Sequence, residues 1–321
     1  MVDIPALRIV YFGTPAFAVP SLEALIRSPH VVVAVVSQPD RPRGRGQQLE
    51  PTPTRQIALA HGIPVLQPDR IRDEAFLAQV RSLAPDLGVV AAFGRILPDA
   101  LLAIPRLGMI NVHASLLPKY RGAAPIQRAV LNGDAETGVS IMRVVTALDA
   151  GPTFAMQRLP IDPDATSGDV EARLAALGAD ALLPVVDDLA AGRAVETPQD
   201  DAGATLAPKV TKAEGEIDWT QAAGVIHDKV RGLQPWPLAS TRLRSARYVI
   251  RRTREITPNW AAEPGSDPGT VVRAAGDDLV VACGAGTALQ ILELQPEGRR
   301  TMTAREFLAG RHLTPADRFG P

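Results

Sequence analysis

The first 145 residues alternate continuous apolar runs with segments of helical periodicity, and this alternation is the strongest constraint on the fold. The runs "RIVYF" (residues 8–12) and "VVVAVVS" (residues 31–37) flank "PSLEALIR", whose apolar residues recur at helical spacing. A strand, a helix and a strand in this order predict a βαβ unit with parallel strands and a right-handed crossover. The chain is therefore predicted to begin as an α/β domain.

The same alternation continues through the next hundred residues. Helical patterns at 54–61, in "DEAFLAQVRSL" and in "APIQRAVLNG" are interleaved with the apolar runs "IPVLQ", "DLGVVAAF", "GMINVH" and "GVSIMRV". Strands that are apolar throughout, with helices between them, are typical of a sheet covered on both faces. We therefore predict a doubly wound, mostly parallel, Rossmann-like sheet.

A different pattern follows residue 190. Residues 190–208 are rich in Gly, Pro and Asp, which is typical of a linker. After a helical pattern at about 220–233 come "LASTRL", "RYVIRR", "GTVVRAA", "DLVVAC" and "ALQILEL". Short strands at this spacing predict a small antiparallel barrel or sandwich. The predicted organisation is a catalytic domain over 1–189, a linker over 190–208 and a second domain over 209–321.

Composition narrows the class of protein further. With 46% hydrophobic and 21% charged residues and a net charge of −1, the chain has an ordinary globular composition that argues against wholesale coating of nucleic acid. A single cysteine, Cys283, excludes an intrachain disulfide and a multi-cysteine metal site, and its apolar neighbours predict a packed thiol. We expect a cytoplasmic protein, because neither a signal peptide nor a membrane-spanning run is recognisable.

Three polar residues are candidates for chemistry. Asn111 and His113 lie two apart near the carboxyl end of the predicted strand "GMINVH", so their side chains face the same side. Asp149 lies in the loop that follows the next strand. Ligands bind beyond the carboxyl ends of such strands, so the three groups are expected to share one crevice. The alternative is that Asn111 and His113 are satisfied core residues and Asp149 is a turn residue.

The residue types indicate the reaction. No cysteine is placed as a nucleophile, and no serine lies in a "GxSxG" motif. An amide, an imidazole and a carboxylate suit attack by a substrate's own nucleophile on a carbonyl, with Asn111 and His113 stabilising the oxyanion. The turn "FGTP" contains one glycine, so the dinucleotide-binding fingerprint "GxGxxG" is missing and a nicotinamide-dependent dehydrogenase is disfavoured.

Two arginine-rich stretches are open to two interpretations. Residues 37–54 form a long predicted loop that contains Arg41, Arg43 and Arg45. Such a loop could contact phosphates or could simply be a solvated surface loop. In the second domain six arginines, Arg244 among them, fall between residues 242 and 254. They could contact nucleic acid or form a charged, solvated strand face.

The segment "NVHASLLPKYRGAAPIQRAVLNGDAETGVSIM", with "LDAG" after it, resembles the signature of the folate-dependent formyltransferases. "PDRPRGRG" is similar to the arginine-containing loop of the branch that acts on methionyl-tRNA, and "GLQPWPLA" looks like the segment that opens its C-terminal domain. The resemblance covers essentially the whole chain. The segment "AGPTFAM", after Asp149, follows the family pattern only loosely, so the resemblance does not define the shape of the folate site there.

The resemblance implies that 10-formyltetrahydrofolate is the co-substrate and methionyl initiator tRNA the acceptor, with no metal. Asn111 would hold the formyl oxygen, His113 would assist the oxyanion and proton movement, and Asp149 would fix the state of His113. The second domain would be an OB-like barrel, and we expect a monomer. The folate-binding residues would be Phe93, Gly94, Ser115, Leu116, Leu117 and Pro118; those binding tRNA would be Arg41, Arg43, Arg45, Lys209 and Arg244, with Arg45 matching the family's arginine.

Two alternatives remain. Another enzyme of the superfamily, formylating a purine precursor or an amino sugar nucleotide, would share Asn111, His113 and Asp149. The arginine-rich loop and the second domain favour tRNA, because a small acceptor needs neither. A catalytically inactive α/β domain with an RNA-binding barrel is the alternative from another class, and the three polar residues argue against it.

Overall fold

The computed structural model describes residues 5–43, 48–256, 266–314 and 317–320. Its contacts divide the chain into two compact units. The first contains the chain up to Pro125, then Glu136–Pro160 and Glu171–Pro208. The second contains Ile126–Ala135, Ile161–Val170 and the described residues from Lys209 onward. Each unit has its own sheet, as the two sequence patterns predict.

The first unit is built on a seven-stranded sheet with the order β10-β9-β7-β6-β1-β2-β5. Its central strands pair in parallel, whereas β9 is antiparallel to both β7 and β10. The sheet is therefore mostly parallel, as predicted. The strands are β1 (Arg8–Gly13), β2 (Val31–Val36), β5 (Val65–Leu66), β6 (Leu87–Ala91), β7 (Met109–His113), β9 (Glu136–Arg143) and β10 (Thr153–Pro160).

The helical predictions for this part of the chain are confirmed with small changes at the ends. The Thr52 hydroxyl caps α2 by accepting from the Arg55 amide, and Pro53 follows at a position that needs no amide donor. The helices are α1 (Val19–Arg27), α2 (Pro53–Ala60), α3 (Glu74–Ser82), α4 (Asp99–Leu102), α5 (Pro125–Leu131) and α6 (Ser167–Ala190).

The prediction of a loop over residues 37–54 is wrong for two short segments. β3 (Arg41–Arg43) and β4 (Gln48–Glu50) form an antiparallel ribbon, with Arg41 opposite Glu50 and Pro42 opposite Leu49. Three-residue strands are too short to show an alternating pattern, and a proline normally argues against a strand. We call this ribbon the hairpin. The residues between its strands, Arg45 among them, lie outside the described residues.

The segment predicted as a linker makes specific contacts within the first unit. β11 (Leu206–Ala207) pairs in parallel with β8 (Arg121–Gly122), and Thr197 bridges to Thr153. The boundaries of 1–189, 190–208 and 209–321 stay a prediction.

The second unit contains an antiparallel sheet with the order β12-β13-β16-β15-β14, and β17 pairs with β16. Its buried core includes a T-shaped contact between Tyr248 and Phe307, whose ring centroids lie 5.5 Å apart. Cys283 is buried in the same core, and burial raises the pKa of its thiol to about 12. The elements are α7 (Ala223–Gly232), β12 (Ala239–Leu243), β13 (Ala246–Glu255), β14 (Val271–Ala275), β15 (Asp278–Ala282), β16 (Ala288–Pro296), β17 (Met302–Thr303) and α8 (Ala304–Ala309).

One face of the seven-stranded sheet depends on Phe12, which is fully buried in β1. Its ring contacts Phe93 edge to face, with centroids 5.5 Å apart, in a cluster that also contains Val80 and Leu101.

We expect Phe12→Ala to lower the free energy of unfolding by about 3–5 kcal/mol, because it leaves a cavity in this cluster. Urea unfolding followed by circular dichroism would measure it. Leu59→Ala, at an exposed position of α2, is the control and should change it by less than about 0.5 kcal/mol. An equal loss of unfolding free energy in the two variants would contradict the role of Phe12 in the buried cluster.

Candidate active site

Asn111 and His113 lie on β7, which has a hydrogen-bonded neighbour on each side, β6 and β9. Their positions two residues apart place both side chains on one face of the sheet. His113 is buried, whereas Asn111 is half-buried. Among the described residues, no hydrogen bond reaches the Asn111 side chain. Its amide is therefore free to donate to a bound molecule at this end of β7.

The imidazole of His113 is held by one hydrogen bond. Nε2 lies 3.1 Å from the carbonyl oxygen of Tyr120. Since a carbonyl oxygen can only accept, this contact assigns the proton of the neutral ring to Nε2 and makes Nδ1 an acceptor. Nδ1 lies 3.8 Å from Asp149 Oδ2, which is an ion-pair distance but too long for a direct hydrogen bond. The side chain of His113 thus presents a proton acceptor beside a carboxylate.

The environment favours the neutral ring. Burial lowers the pKa of His113 below its ordinary 6.5, while the Asp149 charge and the Tyr120 carbonyl partly oppose this shift. A neutral imidazole near pH 7 can take a proton, and the nearby carboxylate stabilises the imidazolium that results. The pairing of His113 with Asp149 is thus suited to general base catalysis.

The two backbone segments that face His113 both contain a strained residue. Tyr120 has φ +62° and Asp149 has φ +47°, in the left-handed region that non-glycine residues rarely adopt. Asp149 is fixed by its Oδ2, which accepts from the Gly122 amide at 2.8 Å. The Tyr120 amide donates to Thr205 Oγ1 at 2.9 Å. Such strain persists only where surrounding contacts determine the conformation, and it is concentrated at functional sites.

Gln199 lies in the segment predicted as a linker, and no sequence pattern indicated its role. Its Nε2 donates to the carbonyl oxygens of Asp149 at 2.8 Å and Gly151 at 2.6 Å, and its Oε1 accepts from Arg121 Nη2 at 2.8 Å. It therefore holds the Asp149 loop through the backbone. Its contacts reach about 50 residues or more along the chain, so no local pattern could have indicated it.

Four of the residues expected to line a folate site, Ser115 to Pro118, directly follow β7 in a turn that side-chain hydrogen bonds hold in place. Ser115 Oγ donates to the carbonyl of Lys119 at 2.6 Å, and the bond before Pro118 is cis. Ser140 Oγ, also missed by sequence analysis, donates to the Ser115 carbonyl at 2.7 Å and accepts from the Leu117 amide at 3.1 Å. Ser115 and Leu117 are buried, so the partly exposed side chains of this set are those of Leu116 and Pro118.

Phe93 and Gly94 follow the carboxyl end of β6, where the strand stops at Ala91. The Phe93 ring is buried in the core, and its carbonyl accepts from Gln38 Nε2 at 2.8 Å. Gly94 has φ +76°, and a Cβ there would lie 2.8 Å from the same Nε2. Any contact of these residues with a ligand would therefore use the backbone rather than the phenyl ring.

The structure divides the arginines and the lysine expected to bind tRNA between the two units. Arg41 is exposed on the hairpin, and Lys209 is exposed in the second unit. Arg244 donates to Asp317 Oδ1 at 2.8 Å, so its charge already has a partner. Arg45 and the side chain of Arg43 lie outside what the structure describes.

Neither a metal-binding cluster nor a membrane-spanning helix is present among the described residues. Over 5–43, 48–256, 266–314 and 317–320, no group of three or more His, Cys, Asp or Glu residues could hold a metal ion. Within those ranges, too, no helix combines the length and the apolar character needed to cross a membrane.

Comparison with known proteins identifies the family. Residues 7–186 match the family described as "Formyl transferase", and residues 209–312 match "Formyl transferase, C-terminal domain". A methionyl-tRNA formyltransferase of Moorella thermoacetica is 46% identical over 98% of this chain and 99% of its own length. One from Pelobacter propionicus is 48% identical over 94% and 92%. The chain belongs to the methionyl-tRNA formyltransferase family. The resemblance inferred from the sequence motifs is thereby confirmed.

Solved structures support the fold. An N-formyltransferase from Helicobacter canadensis, in a complex with folinic acid and dTDP-3-aminofucose, superposes with a TM-score of 0.67 over 90% of this chain and 99% of its own. Only 15% of the residues are identical, so this likeness concerns the architecture alone.

The environment of His113 predicts its titration. We expect a pKa below 6.5 in NMR titrations of the imidazole C–H signals, assigned with His113→Gln, and a lower pKa in Asp149→Asn. That substitution removes the charge but keeps an oxygen for the Gly122 amide. Below pH 6.5 the unfolded ring gains its proton first, so the contribution of this group to the free energy of unfolding falls until the folded pKa is passed.

The exposed His61 provides an internal reference, because Asp149→Asn should not move its signals. A midpoint for His113 above 6.5, or a higher one in Asp149→Asn, would contradict the assigned balance of burial and charge.

Proposed function

We propose that this protein transfers the formyl group of 10-formyltetrahydrofolate to the α-amino group of methionyl initiator tRNA, giving N-formylmethionyl-tRNA for translation initiation. Full-length similarity to methionyl-tRNA formyltransferases supports the substrates. The observation that carries the chemistry is the free, half-buried amide of Asn111 beside the buried, neutral imidazole of His113. The reaction needs a donor for a developing oxyanion and an acceptor for a proton, and these two groups supply them.

Asn111 holds the formyl oxygen in this mechanism. When the amine nitrogen bonds to the formyl carbon, the carbonyl electrons move to the oxygen, and the Asn111 amide donates to the resulting oxyanion. The half-buried position suits this role, because an amide donor stabilises charge more strongly where little water competes. No covalent intermediate on the enzyme is needed, since the acceptor supplies the nucleophile.

His113 and Asp149 handle the protons. The amine attacks in its neutral form and must lose a proton as the new bond forms, and His113 Nδ1 is the acceptor. Asp149 Oδ2, 3.8 Å away, stabilises the imidazolium. The oxyanion then re-forms the carbonyl, the carbon–nitrogen bond to the folate breaks, and the folate nitrogen leaves with the proton that the His113 imidazolium returns. The protons therefore balance without a metal ion.

Recognition of the tRNA is assigned to cationic side chains of both units. Arg41, Arg43 and Arg45 on or next to the hairpin would contact phosphates near the acceptor end, with Lys209 and Arg244 contributing from the second unit. We place the reaction in the cytoplasm and propose that the protein acts as a monomer, which sedimentation would test. An amino sugar nucleotide is the alternative acceptor, and the identity of 46–48% to methionyl-tRNA formyltransferases over nearly the whole chain favours tRNA instead.

The acceptor specificity tests the proposal directly. With 10-formyltetrahydrofolate as donor, we expect rapid formylation of methionyl initiator tRNA and none of free methionine or an amino sugar nucleotide. Acid-gel separation of formylated from unformylated tRNA would follow the product. Uncharged initiator tRNA is the matched control, because it offers the same phosphates without the amine. Formylation of the sugar nucleotide alone would move the protein to another branch of the superfamily.

The oxyanion role of Asn111 predicts a large loss of rate. We expect Asn111→Ala to lower the single-turnover rate by about 10²–10³, the usual cost of one oxyanion donor. Quenched-flow measurement with saturating donor and tRNA separates this effect from weaker binding. Gln79→Ala, which removes an exposed amide from α3, should retain the rate of the unaltered protein. An Asn111→Ala rate within twofold of that rate would remove Asn111 from the mechanism.

A further inference from the structure

A group of polar contacts joins the two chain segments that enter and leave the hairpin. Asp40 Oδ1 accepts from the Thr52 amide at 3.3 Å, and Asp40 Oδ2 forms an ion pair with Arg55. Ser37 Oγ and Thr52 Oγ1 share a hydrogen bond at 2.6 Å. We call Ser37, Asp40, Thr52 and Arg55 the clasp. It closes the base of the hairpin, because Asp40 immediately precedes β3 and Thr52 lies two residues beyond β4.

The clasp is connected to the carboxyl ends of β1 and β6 through two glutamines. Gln67 Nε2 donates to Asp40 Oδ1 at 2.8 Å and to the Gln38 carbonyl at 2.9 Å. Gln38 in turn donates from its backbone amide to Thr14 Oγ1 at 3.2 Å and from Nε2 to the Phe93 carbonyl at 2.8 Å. One continuous network therefore links the base of the hairpin to the strand end where the folate is proposed to bind.

Asp40 is the centre of this network. Its side chain is 15% exposed and that of Arg55 is 34% exposed, so the ion pair is largely shielded from water. Without the Asp40 carboxylate, the Arg55 guanidinium, the Thr52 amide and the Gln67 amide all lose an acceptor. Removing one partner of a shielded pair costs more than removing an exposed one. Because Arg55 and Thr54 belong to α2, and Thr54 Oγ1 donates to the Gly13 carbonyl at 2.8 Å, α2 itself stays attached to β1.

We propose that Asp40 is a positioning residue for the tRNA acceptor, rather than a residue that contacts it. It fixes the hairpin, with exposed Arg41 at its start, relative to the strand ends where formyl transfer takes place. This inference rests on the proposed function, because it assigns a role in binding the macromolecular substrate. It assigns no role in the chemical step, which belongs to Asn111, His113 and Asp149.

Kinetics of Asp40→Ala separate these roles. We expect the KM for methionyl initiator tRNA to rise about tenfold, in line with the loss of hydrogen bonds to a charged group. The kcat and the KM for 10-formyltetrahydrofolate should stay within twofold of the unaltered protein. Asp40→Asn keeps an acceptor for the Thr52 amide and should give an intermediate KM. Glu74→Ala, which removes a carboxylate from an exposed ion pair with Arg81 in the same unit, is the matched control and should change none of the three values.

Tryptic cleavage of the free protein gives a readout that does not depend on activity. Arg43 and Arg45 are each followed by glycine, so both are trypsin sites by sequence. We expect cleavage within residues 41–51 to be about tenfold faster in Asp40→Ala than in Glu74→Ala, because the clasp no longer holds the base of the hairpin. Mass spectrometry of the early products locates the cuts.

Three results would overturn the inference. The first is a KM for the charged tRNA that is unchanged in Asp40→Ala. The second is a parallel loss of function, in which kcat falls and both KM values rise together. The third is a rate of tryptic cleavage equal to that of Glu74→Ala. A parallel loss would mean general destabilisation, which thermal unfolding of both variants would confirm. Failure of the proposed function is recognised separately, since the unaltered protein would then not formylate the tRNA at all, and the inference would fall with it.

Discussion

The hydrogen bond between His113 Nε2 and the Tyr120 carbonyl determines what the candidate site can do. It commits one nitrogen of a buried ring to the backbone, so the other nitrogen must be the acceptor when the ring is neutral. Tyr120 has a left-handed conformation there, and its amide donates to Thr205 Oγ1 at 2.9 Å. Asp149, whose Oδ2 lies 3.8 Å from the other ring nitrogen, is also left-handed. The site thus depends on local strain that contacts from distant segments hold in place.

The sequence predicted the features that follow from periodicity. Apolar runs between helical segments predicted the mostly parallel sheet, and the spacing of Asn111 and His113 predicted that they share a face, because both depend on neighbours in the sequence. Asp149 does lie near His113, with Oδ2 3.8 Å from Nδ1, but the reason given for it was wrong. Because β9 is antiparallel to β7, its carboxyl end at Arg143 pairs with Ile110 near the start of β7, and the Asp149 loop does not leave the edge where β7 ends. The catalytic roles of Asn111, His113 and Asp149 stay predictions. The antiparallel direction of β9 was not predicted, since a buried strand has the same apolar pattern in either direction.

The sequence did not indicate the contacts between a side chain and a backbone group far away along the chain. Gln199, Thr205 and Ser140 belong to common polar residue types, and nothing in their neighbourhood distinguishes them from exposed residues. Their partners lie 23 to 85 residues away, in turns whose geometry is known only once the chain has folded. Gln199 and Thr205 also lie in the segment predicted as a linker. Its Gly, Pro and Asp content correctly indicates irregular backbone, but irregular backbone can still support a site.

In our proposal, the network from Asp40 to Phe93 extends the same principle to the binding of a large substrate. A formyl group and an amine react only if both are held within a narrow range of distances, so the elements that bind donor and acceptor must be fixed to each other. A hairpin of two three-residue strands cannot fix itself, because it has too few contacts of its own. Asp40, Gln67 and Gln38 provide that attachment, and their polar contacts allow it without adding to the apolar core. The proposed positioning role would account for the three partners of the Asp40 carboxylate, namely Thr52, Arg55 and Gln67.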